Sequence, residues 1–195
     1  MKKSILFIAA MVFSTSFVAA QEFVYFGVKG GVNFSTFSGD GFSDFKDESA
    51  RTGYHLGLLA EVPVSDRFSV QPEVLYSAQG FDLVRREDNN DVEHQLDYIT
   101  VPVMAKFYVF DGLALEAGPQ FGFVVEEAID FGSTEKEIYN DNRNDFDLSL
   151  GLGASYKFNK FFLYGRYNAG MTDIYDVEGV EAKNSVIQAG VGLLF

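Results

Sequence analysis

From about residue 26 to the last residue, apolar positions alternate with polar or small ones at a period of two, the period of a β-strand whose two faces meet different surroundings. Eight runs carry it. The first sets Phe26, Val28, Val32 and Phe34 against Lys29, Gly31 and Asn33; the second sets Tyr54, Leu56, Leu58, Ala60 and Val62 against Gly53, His55, Gly57 and Glu61. The third opposes Phe68, Val70, Val74 and Tyr76 to Ser69, Gln71, Glu73 and Ser77, and the fourth Ile99, Val101, Val103, Ala105 and Phe107 to Thr100 and Lys106. The fifth has Leu115, Ala117, Phe121 and Phe123 opposite Glu116, Gly118, Gln120 and Gly122, and the sixth Leu148, Leu150, Leu152 and Ala154 opposite Ser149, Gly151, Gly153 and Ser155. The last two are Leu163, Tyr167 and Ala169 against Arg166 and Asn168, then Ile187, Ala189, Val191, Leu193 and Phe195 against Gln188, Gly190 and Gly192.

The connectors alternate too. Long acidic ones at about 36 to 50, 80 to 94, 126 to 145 and 171 to 183 take turns with short ones around Ser65-Asp66, Asp111-Gly112 and Asn159-Lys160. Asp-Gly is a hairpin signal, and tight turns at one end with long loops at the other are the layout of a transmembrane barrel. The pattern predicts an all-β fold: an up-and-down antiparallel β-barrel of eight strands crossing the outer membrane, with both termini on the periplasmic, short-turn side.

Alternation alone does not say which face meets lipid, because a lipocalin-type barrel in water shows the same period in the opposite sense. The polar set carries mid-strand charges, Lys29, Glu61, Glu73, Lys106, Glu116 and Arg166, among many glycines. A barrel of about eight strands has an interior that side chains just fill, so charges of opposite sign pair there. Turned to lipid, each lysine or arginine costs about 2 to 4 kcal/mol near the midplane. Aromatics in or beside the apolar set gather at two levels, Phe68, Phe107, Tyr156, Phe158 and Phe161 toward the short turns and Phe34, Tyr54, Tyr76, Phe123 and Tyr167 toward the loops. Two such girdles mark the two interfaces of a membrane. The last strand, V-I-Q-A-G-V-G-L-L-F, closes on the apolar set at Phe195 and looks like the signal by which barrel assembly machinery recognises its clients. The expected lumen network is therefore Lys29, His55, Glu61, Glu73, Lys106, Glu116 and Arg166, with Phe195 as the assembly signal.

Residues 1–20 carry two lysines, an apolar run from Ile5 to Phe17, and Val18 and Ala20 ahead of Gln21. That is the layout of a cleaved secretory signal peptide; a spanning helix needs roughly 20 apolar residues. The barrel domain is expected over residues 21–195, which hold no apolar run long enough for a membrane helix. The formal charge of −13 becomes more negative once Lys2 and Lys3 leave with the signal. Such a charge repels nucleic-acid phosphates, and no nucleic-acid partner is expected. With no cysteine in the chain, neither a disulfide nor a thiolate metal site is available.

Pro72, Pro102 and Pro119 fall inside the third, fourth and fifth runs, where a closed barrel has no free edge to spare a hydrogen bond. Bulges are expected there, together forming one irregular patch of wall. At F-S-V-Q-P-E-V-L-Y-S (68 to 77), L-D-Y-I-T-V-P-V-M-A-K-F (96 to 107), L-E-A-G-P-Q-F-G-F (115 to 123) and R-Y-N-A-G-M-T-D-I (166 to 174), the chain resembles the PorT-like family of outer-membrane β-barrel proteins. The resemblance spans nearly the whole mature chain and implies an eight-stranded barrel with periplasmic termini; some relatives serve protein secretion or gliding machinery.

Catalysis has little to work with. A hydrolase needs a base beside its nucleophile, and the chain offers only His55, placed in the polar set near Glu61 and Glu73, and His94, placed in an acidic loop. The segments D-N-R-N-D (141 to 145) and E-D-N-N-D (87 to 91) depart from a calcium loop at Arg143 and Val92 and lack the glycine it needs, so solvated loops are favoured over a metal site. The expectation is a non-enzymatic barrel without cofactor. It has a structural, adhesion or partner-docking role through acidic extracellular loops, and a filled, non-conducting lumen. A membrane-embedded lipid-modifying enzyme is the competing class, and a component of a secretion or gliding apparatus the family-based one. The expected surroundings are outer-membrane lipid and lipopolysaccharide, the barrel assembly machinery, and envelope or secretion proteins.

Overall fold

A computed structural model of the chain describes residues 24–38, 45–85, 91–130, 135–136, 145–173 and 183–195. The expected signal peptide, residues 1–20, lies outside them, as do the central parts of the four long connectors. The described strands are β1 (Tyr25–Ser38), β2 (Phe45–Ser65), β3 (Phe68–Arg85), β4 (Asp91–Tyr108), β5 (Leu113–Asp130), β6 (Glu135–Lys136), β7 (Phe146–Phe158), β8 (Phe161–Asp173) and β9 (Lys183–Leu194). Strand β6 is a two-residue addition to the loop end of β5. The other eight pair antiparallel in the cyclic order β4-β3-β2-β1-β9-β8-β7-β5, and the β4–β5 pairing closes the ring. First and last strands are thereby joined, with Val28 opposite Leu193 and Phe34 opposite Ile187.

Burial sorts the two phases as an outer wall facing lipid requires. Leu56 and Leu163 are 64% and 61% exposed on the outside, whereas Lys29 and Arg166 are each 2% exposed within. A barrel adapted to water has the reverse arrangement. The short turns are built from residues that tolerate a left-handed backbone: Asn159 has φ 57° and Gly112 φ 78°. At Gly112 a Cβ would also stand 2.5 Å from the Lys157 carbonyl oxygen. Both ends of the barrel chain meet at this side, where the Phe195 amide donates to the Phe26 carbonyl at 2.8 Å.

Three expectations need correction. The strands reach farther into the long connectors than the alternation indicated: β2 has 21 residues and β3, β4 and β5 have 18 each, against 12 to 14 for β1, β7, β8 and β9. A tilted strand crosses the hydrocarbon in about 9–11 residues. Beyond that length lipid no longer imposes apolar-polar alternation, while the hydrogen-bond ladder continues. Because the short turns fix the other end, the four adjacent strands β2 to β5 stand up as a raised wall on the loop side. His94, expected in a loop, lies in β4 for the same reason, opposite Phe81 and Ile129.

Pro72, Pro102 and Pro119 mark no bulge. The β3–β4 register is the same at Pro72↔Val103 and at Leu75↔Thr100, and the β4–β5 register the same at Pro102↔Gln120 and at Ala105↔Ala117. Register shifts lie elsewhere, as at Asp97/Tyr98 and Ala169/Asp173. A proline withholds an N–H, but its fixed φ is compatible with extended chain; pairing lapses for two positions and resumes in step. The expected single patch survives in another form, since the register that sets Pro72 opposite Val103 also brings Pro119 level with Val103 from the other side.

Candidate functional site: the lumen and its two mouths

Inward-facing positions of β1, β2, β3, β4, β5 and β8 bring the charged residues named from sequence into one buried cluster. Glu73 sits at its centre. It receives Arg166 through Nη2 at 2.8 Å to Oε1 and Nη1 at 3.1 Å to Oε2, and Lys29 Nζ at 3.1 Å to Oε2. Gln71 Nε2 donates to the same carboxylate at 2.7 Å. Arg166 Nη2 also reaches Glu116 Oε2 at 2.9 Å, and Lys106 Nζ lies 3.8 Å from Glu116 Oε1 and 3.5 Å from Glu61 Oε2. Three cations, Lys29, Lys106 and Arg166, thus face three carboxylates, Glu61, Glu73 and Glu116, all at most 4% exposed. The sum is neutral, which is what a site shielded from water requires of buried charge. Because β3 and β8 are separated by three strands in either direction around the ring, the Arg166–Glu73 pair spans the lumen.

His55 is not part of this ionic exchange. Its neighbour Asn33 gives Nδ2 to the carbonyls of Tyr54 and Ala78 at 3.1 and 2.8 Å, which turns Asn33 Oδ1 toward the ring. His55 Nδ1 lies 2.7 Å from that oxygen and therefore carries the proton, leaving Nε2 to accept from the Tyr164 hydroxyl. Lys29 Nζ rests 3.6 Å from the centroid of the Tyr164 ring. With 2% exposure inside the barrel, His55 does not reach lipid. Among the described residues no group of three or more histidine, aspartate or glutamate side chains is placed to hold a metal ion.

Several lumen residues escaped the sequence reading. Tyr164, Phe162, Leu59, Leu75 and Met104 are buried inside although apolar or aromatic. Parity was the available signal: Phe162 and Tyr164 stand four and two residues before Arg166, and Leu59 lies two before Glu61. At the short-turn mouth a cavity of about 610 Å³ is lined by Tyr25, Glu61, Arg67, Tyr108, Asp111 and Lys157, among others. The Tyr108 hydroxyl donates to Glu61 Oε1 there, and Lys157 Nζ hovers 4.0 Å from the same atom. At the opposite mouth the outward-facing Tyr76 donates its hydroxyl to Asp97 and lies 5.9 Å from the ring of Tyr54.

A family described as outer membrane protein beta-barrel domain matches residues 19–176. Among solved structures, neisserial surface protein A is 16% identical, with 89% of this chain and 100% of that chain covered and a TM-score of 0.60. Ail, the attachment invasion locus protein of Yersinia pestis, in complex with the heparin analogue sucrose octasulfate, is 16% identical over 88% of this chain and 99% of its own, at a TM-score of 0.53. At such identities the likeness is one of fold. No protein of curated function matches the chain. The family match covers most of the sequence and agrees with the closed eight-stranded barrel; the chain belongs to the outer membrane protein beta-barrel domain family and is a protein of the outer membrane.

Proposed function

We propose that this barrel anchors and presents: it holds an acidic loop surface and the raised wall of β2 to β5 outside the cell for a protein partner, with both termini in the periplasm and a lumen that conducts nothing. The observation that carries this reading is the wall itself, four adjacent strands lengthened at the loop end, where most of the chain's 28 acidic residues lie. A smaller loop surface would suffice for an anchor alone. The Arg166–Glu73 pair crossing the lumen supports the absence of conduction. Ail was solved with a polyanion; the strongly negative charge of this chain favours a basic partner instead.

The finer kinship is with the PorT-like barrels, which makes a secretion or gliding component the partner class to look for. Outer-membrane lipid and lipopolysaccharide surround the apolar face, and the strand ending at Phe195 is the assembly signal. The enzymatic alternative has no support in the site, since His55 is held by Asn33 and Tyr164 away from lipid.

Co-purification from detergent-solubilised outer membrane tests the docking role. A protein partner retained at low salt and released as salt screens the acidic surface is expected; a barrel that elutes alone at every ionic strength contradicts it. Deleting Phe195 should reduce the fraction of chains showing the heat-modifiable gel shift of a folded barrel, and unchanged insertion would remove its role as a signal.

A further inference from the structure

At the short-turn end the lumen opens into the cavity of about 610 Å³, where inward-facing side chains from four strands meet. Tyr25 on β1 stands directly opposite Glu61 on β2. Tyr108 lies two residues beyond Lys106 on β4, and Lys157 two beyond Ser155 on β7, so all four share the phase that points into the barrel. Glu61, 2% exposed, is the most buried of the charged residues lining the cavity. Lys157 approaches it from the far wall, since β2 and β7 are separated by three strands in either direction around the ring.

That approach is incomplete. Lys157 Nζ stops 4.0 Å from Glu61 Oε1, whereas a charge-assisted N–H···O bond closes at about 2.7–2.9 Å. The ammonium instead stands over two aromatic faces, 5.3 Å from the ring centroid of Tyr108 and 5.8 Å from that of Tyr25, and the side chain keeps 32% of its surface exposed. Among the described lining residues the carboxylates Glu61, Asp66 and Asp111 outnumber the cations Arg67 and Lys157, so the mouth disfavours an anion. Aromatic faces beside a buried carboxylate suit an organic ammonium ion, which the rings attract and the acid neutralises. A divalent metal is served less well. It asks for about six or more oxygen ligands, and the two oxygens of Glu61 already take the Tyr108 hydroxyl and Lys106.

We propose that this mouth is a binding site for small primary amines, an ammonium group on a short apolar stem, in which Lys157 is the resident ammonium that the ligand displaces. The incoming ammonium takes the place beside Glu61, under Tyr25 and Tyr108, and its stem lies along Pro63, Val109 and Phe110. Lys157, already a third exposed, turns out into water; a partly exposed ion pair at that separation is easily given up. Room is available, because the cavity measures about 610 Å³ with Lys157 in place, within the range of small-molecule pockets. The site is independent of the docking role, which uses the loop end.

The test uses the protein purified from outer membrane in nonionic detergent, where both mouths are open to solution, with folding checked by the heat-modifiable gel shift. Binding of radiolabelled pentylamine is measured by equilibrium dialysis, with pentanol as the neutral competitor. The wild type should bind saturably, and pentanol should not compete. Lys157→Met removes the resident ammonium and should tighten binding about threefold to thirtyfold, the combined worth of a cation–π contact and an exposed ion pair. Lys160→Met deletes the same charge from the adjacent turn, where Lys160 is exposed, and should leave affinity unchanged. Glu61→Gln should weaken binding at least about tenfold; if that variant does not fold, the contrast between Lys157→Met and Lys160→Met decides alone. No saturable binding to the folded wild type, equal affinities in Lys157→Met and Lys160→Met, or competition by pentanol would each overturn the site.

Discussion

Glu73 accepts from Arg166, Lys29 and Gln71 at once, so its loss leaves two cations buried and short of a partner. Removing one member of such a group costs about 3–5 kcal/mol, whereas replacing oppositely charged partners together by apolar groups is often neutral. Glu73→Ala should therefore destabilise the folded barrel by that amount in equilibrium urea unfolding from vesicles, and Arg166→Met added to it should recover part of the loss. A double variant as unstable as the sum of the single ones would show that the two side chains do not act as a pair. Glycine has a separate role at Gly192, where a Cβ would lie 2.1 Å from the Phe162 ring; Gly192→Ala should cost about 1–3 kcal/mol by overpacking, measured the same way. Charge in the lumen was legible in the sequence because Lys29, Glu61, Glu73, Lys106, Glu116 and Arg166 all stand in the polar phase of their runs. Tyr164 and Phe162 were not, because an aromatic in that phase looks like an interruption of the pattern; only the fold shows them packed against Lys29 and Leu59 from within.

The elements were legible where lipid imposes alternation and illegible beyond it. Runs such as Leu148 to Ser155 and Leu163 to Ala169 locate β7 and β8 nearly to their ends, while β2 to β5 continue past the last alternating pair. Pro72, Pro102 and Pro119 misled for a different reason: a missing N–H removes a bond without shifting the register. The ladder of the raised wall also sets acidic positions opposite one another. Asp82 stands opposite Glu93, Glu93 opposite Asp130, and Asp130 opposite Glu135, four acids in one row across β3, β4, β5 and β6. Like charges directly opposed across strands destabilise a sheet, and salt screens exposed ones over about 10 Å at 0.1 M. Amide hydrogen exchange in residues 91–95 and 127–130 should slow as sodium chloride rises, while exchange in the spanning part of the same strands stays constant. Exchange insensitive to salt would mean that the opposed acids do not weaken the sheet.

The whole molecule is an inside-out protein: ion pairs and amides in the middle, leucines and aromatics at the surface. Its lumen should pass no solute, and vesicles holding the protein should not swell in small sugars; swelling would contradict the cross-lumen closure by Arg166 and Glu73. The family match fixes the compartment, the likeness to neisserial surface protein A agrees with the architecture, and the Arg166–Glu73 pair across the lumen directs the search for function to the loop side. The most direct test of the central claim, apolar phase to lipid and polar phase to lumen, uses the absence of tryptophan from the chain. Single substitutions Leu58→Trp, Leu152→Trp and Leu163→Trp on the outer face and Tyr164→Trp on the inner one are each refolded into vesicles of brominated lipid, and quenching of fluorescence is measured. The three outer tryptophans should emit at short wavelength and be strongly quenched, and the inner one should not be quenched. Outer tryptophans that emit like exposed indole and ignore the bromines would show that the apolar phase does not face lipid.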